Sequence, residues 1–269
     1  MPFKITNCLL LVLCLISVSS TGNAETTLVA VASNFTKPMK EIAEAFAKTT
    51  GHSANLAFGS SGKFVSQVEN GGPFEVFLSA DTRNPIKLEQ SGLAVGGSRF
   101  TYAIGKLVLW SSQANYVDAQ GRILTIGNFK HLALADPKLA PYGVAAMEAM
   151  KNLNLLDKLQ PLFVQGENIA QTYQFISTGN AELGFVALSQ VIDNGKASAP
   201  AHAPYLRPVG KIASGSGWII PSNLHSPILQ DAILLKKGAE NPAAPALLNF
   251  LKSPEAQAII RKYGYDIAE

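Results

Sequence analysis

The chain predicts an α/β fold built of two lobes, each a mainly parallel sheet flanked by helices. Three observations carry that reading. Short apolar runs alternate with amphipathic helical patterns almost throughout, which is the signature of β–α units. Gly and Pro clusters punctuate the joints between them, as at Gly71-Gly72-Pro73. The β–α pattern then restarts after Trp110 without a flexible linker. Two lobes that exchange the chain and enclose a cleft follow from that restart.

The elements take their places in order. Leu28 to Ala32 reads as a buried strand and leads to a helix from about Lys37 to Thr49. Met39, Ile42, Ala43, Phe46 and Ala47 form its apolar face, and Gly51 stands at its glycine stop. Asn55 to Phe58 is a second strand, followed by a helix from Lys63 to Asn70. Phe74 to Leu78 is a third, with Asp81 capping a helix through Ile86 to Gln90. Tyr102 to Trp110 reads as one strand and His131 to Ala135 as another. A turn at Pro141-Tyr142-Gly143 precedes a helix from Val144 to Asn154. Phe163-Val164 is a short strand, and Glu167-Asn168 caps a helix through Phe175 to Thr178. Glu182 to Ala187 and Trp218 to Ile220 are further strands. Two Ala/Leu-rich helices, Pro227 to Gly238 and Pro242 to Tyr263, are expected to close the chain; Ala197 to Pro204 reads as a loop.

Residues 1–24 read as an export signal rather than as part of the fold. Lys4 supplies the positive end, Cys8 to Val18 an apolar stretch too short to span a bilayer, and Gly22-Asn23-Ala24 a small-residue cleavage site. Both cysteines, Cys8 and Cys14, lie in that segment, so the exported chain is expected to hold neither disulfide nor thiolate nucleophile. The formal net charge of +3 is nearly balanced, and no basic block interleaved with aromatics points to nucleic acid.

The chemistry concentrates in turns. Ser33-Asn34 and Gly59-Ser60-Ser61-Gly62 each join a strand to a helix start. Such a turn offers unpaired backbone N–H groups and hydroxyls to one point, which suits an oxyanion. One such turn is more often a plain helix cap. Two on neighbouring strands, with Pro141-Tyr142-Gly143 and Gly166-Glu167-Asn168-Ile169 in the second half, favour a ligand in the cleft at the strand ends.

Enzymatic readings fare worse. Ser60-Ser61-Gly62-Lys63 fits S-x-x-K, but its companion motifs are missing in the required order, and Gly59 to Gly62 falls one residue short of a G-x-S-x-G elbow. His52, His131, His202 and His225 show no metal-ligand spacing, and Gly210 to Gly217 forms no phosphate loop. An exported serine hydrolase stays a distant alternative.

Longer matches then accumulate. Val31-Ala32-Ser33-Asn34-Phe35-Thr36, Phe58-Gly59-Ser60-Ser61-Gly62, Phe77-Leu78-Ser79-Ala80-Asp81 and Leu134-Ala135-Asp136-Pro137 resemble the periplasmic molybdate-binding proteins of ABC transporters. Glu167-Asn168-Ile169, Leu183-Gly184-Phe185-Val186 and Lys262-Tyr263-Gly264-Tyr265 do so as well. The resemblance implies the two-lobed periplasmic binding protein fold of type II, with residues 25–103 plus 214–269 in one lobe and 104–213 in the other. It implies molybdate, and tungstate, as ligand. The oxyanion would be held by Ser33 and Ser61 and by backbone donors at Tyr142 and Ile169, with Asn34 adding a donor. No resident cofactor, no catalysis and a monomer are implied, with a membrane permease and its ATPase as partners. Many members place a ligand tyrosine after the G-[IF]-V strand, where this chain has Ala187; Tyr142, at a position often alanine, is expected to compensate structurally. A carrier of sulfate or phosphate is the nearest alternative.

Overall fold

The computed structural model describes residues 24–193 and 212–268. The segment expected as an export signal, apart from its last residue, and the loop expected at Ala197 to Pro204 lie outside those residues, as does His202.

Ten strands form two five-stranded mixed sheets. The first begins with β1 (Thr26–Ala32), followed by α1 (Thr36–Thr50), β2 (Ser53–Gly59), α2 (Ser61–Glu69), β3 (Val76–Leu78) and α3 (Arg83–Gln90). Then β4 (Phe100–Gly105) gives way after the single residue Lys106 to β5 (Leu107–Ser111), which starts the second sheet. The second lobe continues through α4 (Ile123–Ile126), β6 (Leu132–Ala135), α5 (Pro141–Asn152) and α6 (Leu156–Leu159). It is completed by β7 (Phe163–Gly166), α7 (Ile169–Ser177), β8 (Leu183–Ala187), α8 (Leu188–Val191) and β9 (Ser216–Ile219). The chain returns to the first sheet with β10 (Ile228–Leu234) and ends in α9 (Ala243–Leu251) and α10 (Pro254–Lys262). The strand orders are β2-β1-β3-β10-β4 and β7-β6-β8-β5-β9.

Each sheet keeps a parallel part made by its β–α units: β1 runs parallel to β2 and β3, and β6 to β7 and β8. The strands nearest the crossings pair antiparallel, β10 with β3 and β4, and β5 with β8 and β9. Central β1 is covered on both faces, so Val29, Ala30 and Val31 are all buried, as a sheet sandwiched by helices requires. On one face Met39, Ile42 and Phe46 of α1 meet Leu247 and Leu248 of α9 and Ile260 of α10. Each such side chain contributes roughly 1.5–3 kcal/mol by leaving water.

Four expectations are corrected. Pro227 to Gly238 is not a helix: Ile228–Leu234 is β10, inserted between β3 and β4. A short apolar run buried on both sides has the same periodicity as a buried helical segment, so spacing alone misleads there. Tyr102 to Trp110 is two strands in different sheets, parted at Lys106. The stretch from Pro242 to Tyr263 is broken before Pro254, because the residue ahead of a proline disfavours helix; Ser253 instead caps α10 by accepting from Ala256 N–H at 3.2 Å. Finally, the return to the first lobe was expected at 214, but β9 pairs with β5 (Val108 opposite Ile219), so residues 216–219 belong to the second sheet.

Candidate functional site

The four hydroxyl-rich or proline-led turns converge. Ser33-Asn34 follows β1, Ser60-Ser61 follows β2, Pro141-Tyr142 opens α5 and Asn168-Ile169 opens α7. Together with Ala80 and Ala140 they wall one small, narrow hollow at the carboxyl ends of strands from both sheets. All five residues expected to bind ligand, Ser33, Asn34, Ser61, Tyr142 and Ile169, line it.

Local backbone chemistry explains what each turn offers. Asn168 caps α7, its Oδ1 accepting from Ala170 N–H at 2.9 Å and Gln171 N–H at 3.1 Å. Those bonds leave Ile169, the first residue of the helix, with an N–H that helix geometry does not pair. In α2 the Gly62 N–H donates to the Leu139 carbonyl at 3.0 Å, leaving the N–H of Ser61 at the helix start. Helix α5 begins with Pro141, which has no N–H, so Tyr142 presents the first available donor. Gly143 follows because a β-carbon there would strike the Ala135 carbonyl at the end of β6. Ser33 and Asn34 begin a short 3-10 turn and precede its first internal bond.

The side chains divide between the hollow and its floor. Ser61 Oγ accepts from Ala80 N–H at 3.0 Å, which fixes the oxygen and leaves its proton to donate. Ser33 Oγ donates to Asn168 Oδ1 at 3.2 Å, a bond between the lobes. Ser60 Oγ is buried and has no partner. Beneath the hollow runs a buried polar network that spacing did not reveal. Asn34 Nδ2 donates to Gln230 Oε1 at 2.8 Å and to the Tyr265 hydroxyl at 2.9 Å. The Asn34 carbonyl accepts from Ser189 Oγ at 2.8 Å and from Tyr265 at 2.9 Å. Thus the Asn34 amide, expected to add a donor to the ligand, is committed to the floor, and only its backbone N–H remains for the hollow.

Tyr142 likewise aims its ring away from the turn, its hydroxyl accepting from Gln230 Nε2 at 3.2 Å. Tyr102 completes the cluster, its hydroxyl 3.0 Å from Gln230 Oε1. Burial drives the Tyr102 and Tyr142 phenols well above their ordinary range and Tyr265 up to about 12, so all three stay neutral.

Among the described residues no charged side chain lines the hollow. The nearest motif cation, Lys63, forms an exposed ion pair with Glu167 at 2.7 Å across the lobes. Among the described residues no group of three or more His, Cys, Asp or Glu is placed to hold a metal ion. Asp81, expected as a cap, stands one residue ahead of Thr82, the N-cap of α3, where its Oδ1 accepts from Asn84 N–H at 3.0 Å; burial raises its pKa.

A family of bacterial extracellular solute-binding proteins matches residues 27–266. The chain belongs to that family. This solute-binding protein is 52% identical over 239 residues to the molybdate-binding protein ModA of Azotobacter vinelandii, with 89% of each chain covered. It is 52% identical over 236 residues to that of Rhodobacter capsulatus, covering 88% of this chain and 86% of the relative. The solved periplasmic molybdate-binding protein of Azotobacter vinelandii superposes with a TM-score of 0.82 at 40% identity, over 90% of this chain and all of that one. Both lobes of this solute-binding protein are therefore in the family arrangement, with the hollow between them.

Proposed function

We propose that this protein captures molybdate, and tungstate with it, in the periplasm and hands it to the permease and ATPase of an ABC transporter. One observation carries the reading: donors from four helix starts, two in each lobe, gather around a hollow that no charged side chain of the described residues lines. The names of the relatives at 52% identity support the choice of anion.

The donors are the N–H groups of Ser33, Asn34, Ser61, Tyr142 and Ile169 with the hydroxyl of Ser61; the Ser33 hydroxyl joins them by exchanging its bond to Asn168 Oδ1 for one to the ligand. Helix N-termini add about half a positive charge each. Hydrogen bonds to an ionised partner are worth about 1.5–3 kcal/mol apiece, enough together to offset dehydration of a dianion in a dry cleft. A shell made only of donors disfavours any oxyanion that carries a proton, because its O–H finds no acceptor; that disfavours monohydrogen phosphate. Sulfate is fully ionised but smaller, so a rigid shell reaches only part of it. Because the second lobe supplies the N–H groups of Tyr142 and Ile169 and the first lobe the rest, the closed arrangement binds better than an open one, and the ligand stabilises closure.

Calorimetric titration with molybdate, tungstate, sulfate and phosphate tests the reading. Tight binding of the first two with weak binding of the others is expected, and preferential sulfate binding would replace this proposal with a sulfate carrier. Ser61→Ala should weaken molybdate binding by about 10-fold or more, the loss of one charge-assisted bond. Unchanged affinity would remove Ser61 from the ligand shell.

A further inference from the structure

Only two buried side-chain oxygens among the described residues have no hydrogen-bond partner, Thr27 Oγ1 and Ser60 Oγ. They stand in different surroundings. Thr27 lies near the start of β1, at the far end of the strand from the hollow. Ser60 is 2% exposed and belongs to the hollow's wall, between Gly59 and Ser61.

A serine at this position has an obvious local use that the structure does not make of it. Ser60 is the N-cap of α2, with extended backbone (φ −80°, ψ 146°), yet its side chain makes no capping bond. The usual capping targets are the N–H groups two and three residues on. The first of these, from Gly62, is taken by the Leu139 carbonyl of the other lobe at 3.0 Å. A buried hydroxyl left unpaired is costly and uncommon, and it points to a partner that arrives from outside the chain. Here the wall it belongs to is that of the anion site.

We propose that Ser60 Oγ is a further donor to the bound oxyanion, so that the second turn supplies two adjacent hydroxyls rather than one. This inference rests on the oxyanion reading of the hollow. It assigns the two serines different duties. Ser61 Oγ is already anchored by Ala80 N–H and helps to hold the empty fold together. Ser60 Oγ is held by nothing until the ligand comes, so its bond forms only in the complex. Its reach also bears on selectivity: a hydroxyl free to rotate meets an oxygen of a large tetrahedral anion, whereas the shorter bonds of sulfate draw that oxygen away.

The test is a split between stability and affinity. Ser60→Ala and Ser60→Gly are compared with Ser61→Ala by thermal unfolding without anion and by calorimetry with molybdate and sulfate. Removing the unpaired Ser60 hydroxyl should leave the unliganded melting temperature unchanged or raised, while molybdate binding weakens 10-fold or more and sulfate binding changes less. Ser61→Ala should lower both the melting temperature and the affinity. If the wild type binds molybdate and both Ser60 variants bind it equally well, the role of Ser60 is overturned and the oxyanion site stands. If the wild type binds none of the four oxyanions, the reading of the site falls and this inference with it.

Discussion

At Tyr265 the polar floor of the site is held by a phenol that burial lifts from 10.0 to about 12. Its proton, with those of Tyr102 and Tyr142, is therefore retained in the fold at pH values where an unfolded chain releases it. A folded pKa above the unfolded one contributes stability that is present below the unfolded value and is lost as pH rises through the folded one. Stability should thus fall between about pH 10 and 12, while molybdate affinity stays flat from pH 6 to 8 because no residue lining the hollow titrates there. Melting temperature against pH, together with titrations at both ends of the neutral range, checks both statements; an affinity that changes tenfold across neutrality would mean that an ionisable side chain enters the site. At this scale the sequence was legible where a residue acts through its own backbone. While the choice of Ser33, Ser61, Tyr142 and Ile169 within their turns came from the family resemblance, the turns themselves were readable, since Ser, Asn and Pro announce helix starts. Gln230, Tyr265 and Ser189 were not, because their link to Asn34 joins residues 155 to 231 positions apart and leaves no periodic trace.

Among the elements, β10 shows how the site depends on a strand that spacing took for a helix. Its Gln230 and Asp231 are fully buried. Gln230 serves Asn34, Tyr102 and Tyr142, while Asp231 accepts from Arg99 Nη1 at 2.6 Å and from Thr101 Oγ1 at 2.7 Å. A register shift between these two residues against β4 lets neighbours on one strand serve separate partners. Polar residues inside a buried run carry no period, and only tertiary partners make such a strand affordable. By contrast β1, α1, β2, β6 and β8 were readable, because a hydrophobic run ending in a glycine, proline or serine turn states both kind and limit. Gly105 at the end of β4 belongs to the same account. A β-carbon there would collide with the Tyr142 hydroxyl and crowd Gln230 Nε2. Gly105→Ala should cost about 1–3 kcal/mol through overpacking and should weaken anion binding by displacing the start of α5. Denaturant unfolding measures the first effect and calorimetry the second; a variant as stable as wild type would show that Tyr142 can move aside freely.

For the whole molecule, the two lobes meet through specific bonds both in the buried floor, where Ser189 joins Asn34 and Tyr142 joins Gln230, and nearer the rim. Lys63 pairs with Glu167, Gly62 N–H reaches Leu139, Lys37 Nζ donates to the Gln190 carbonyl at 2.9 Å, and Ser33 meets Asn168. A ligand gripped by both sides adds to those bonds, so it should raise the global stability. At a free molybdate concentration about 1,000 times the dissociation constant the gain is about 4 kcal/mol. For a chain of this size that corresponds to a rise on the order of 10 °C in melting temperature. Sulfate at the same concentration should give a much smaller rise; an equal one would end the claim of selectivity. One connection limits how the lobes can part at all. Only Lys106 stands between the last residue of β4 and the first of β5, so the α-carbons of Gly105 and Leu107 stay within about 7 Å of each other at every stage. Sliding apart is forbidden, and the available motion is a swing about a pivot at Lys106. Opening then works as a lever: spin labels beside the pivot would hardly separate, while labels at residues 63 and 167, whose side chains pair across the lobes, would move well apart.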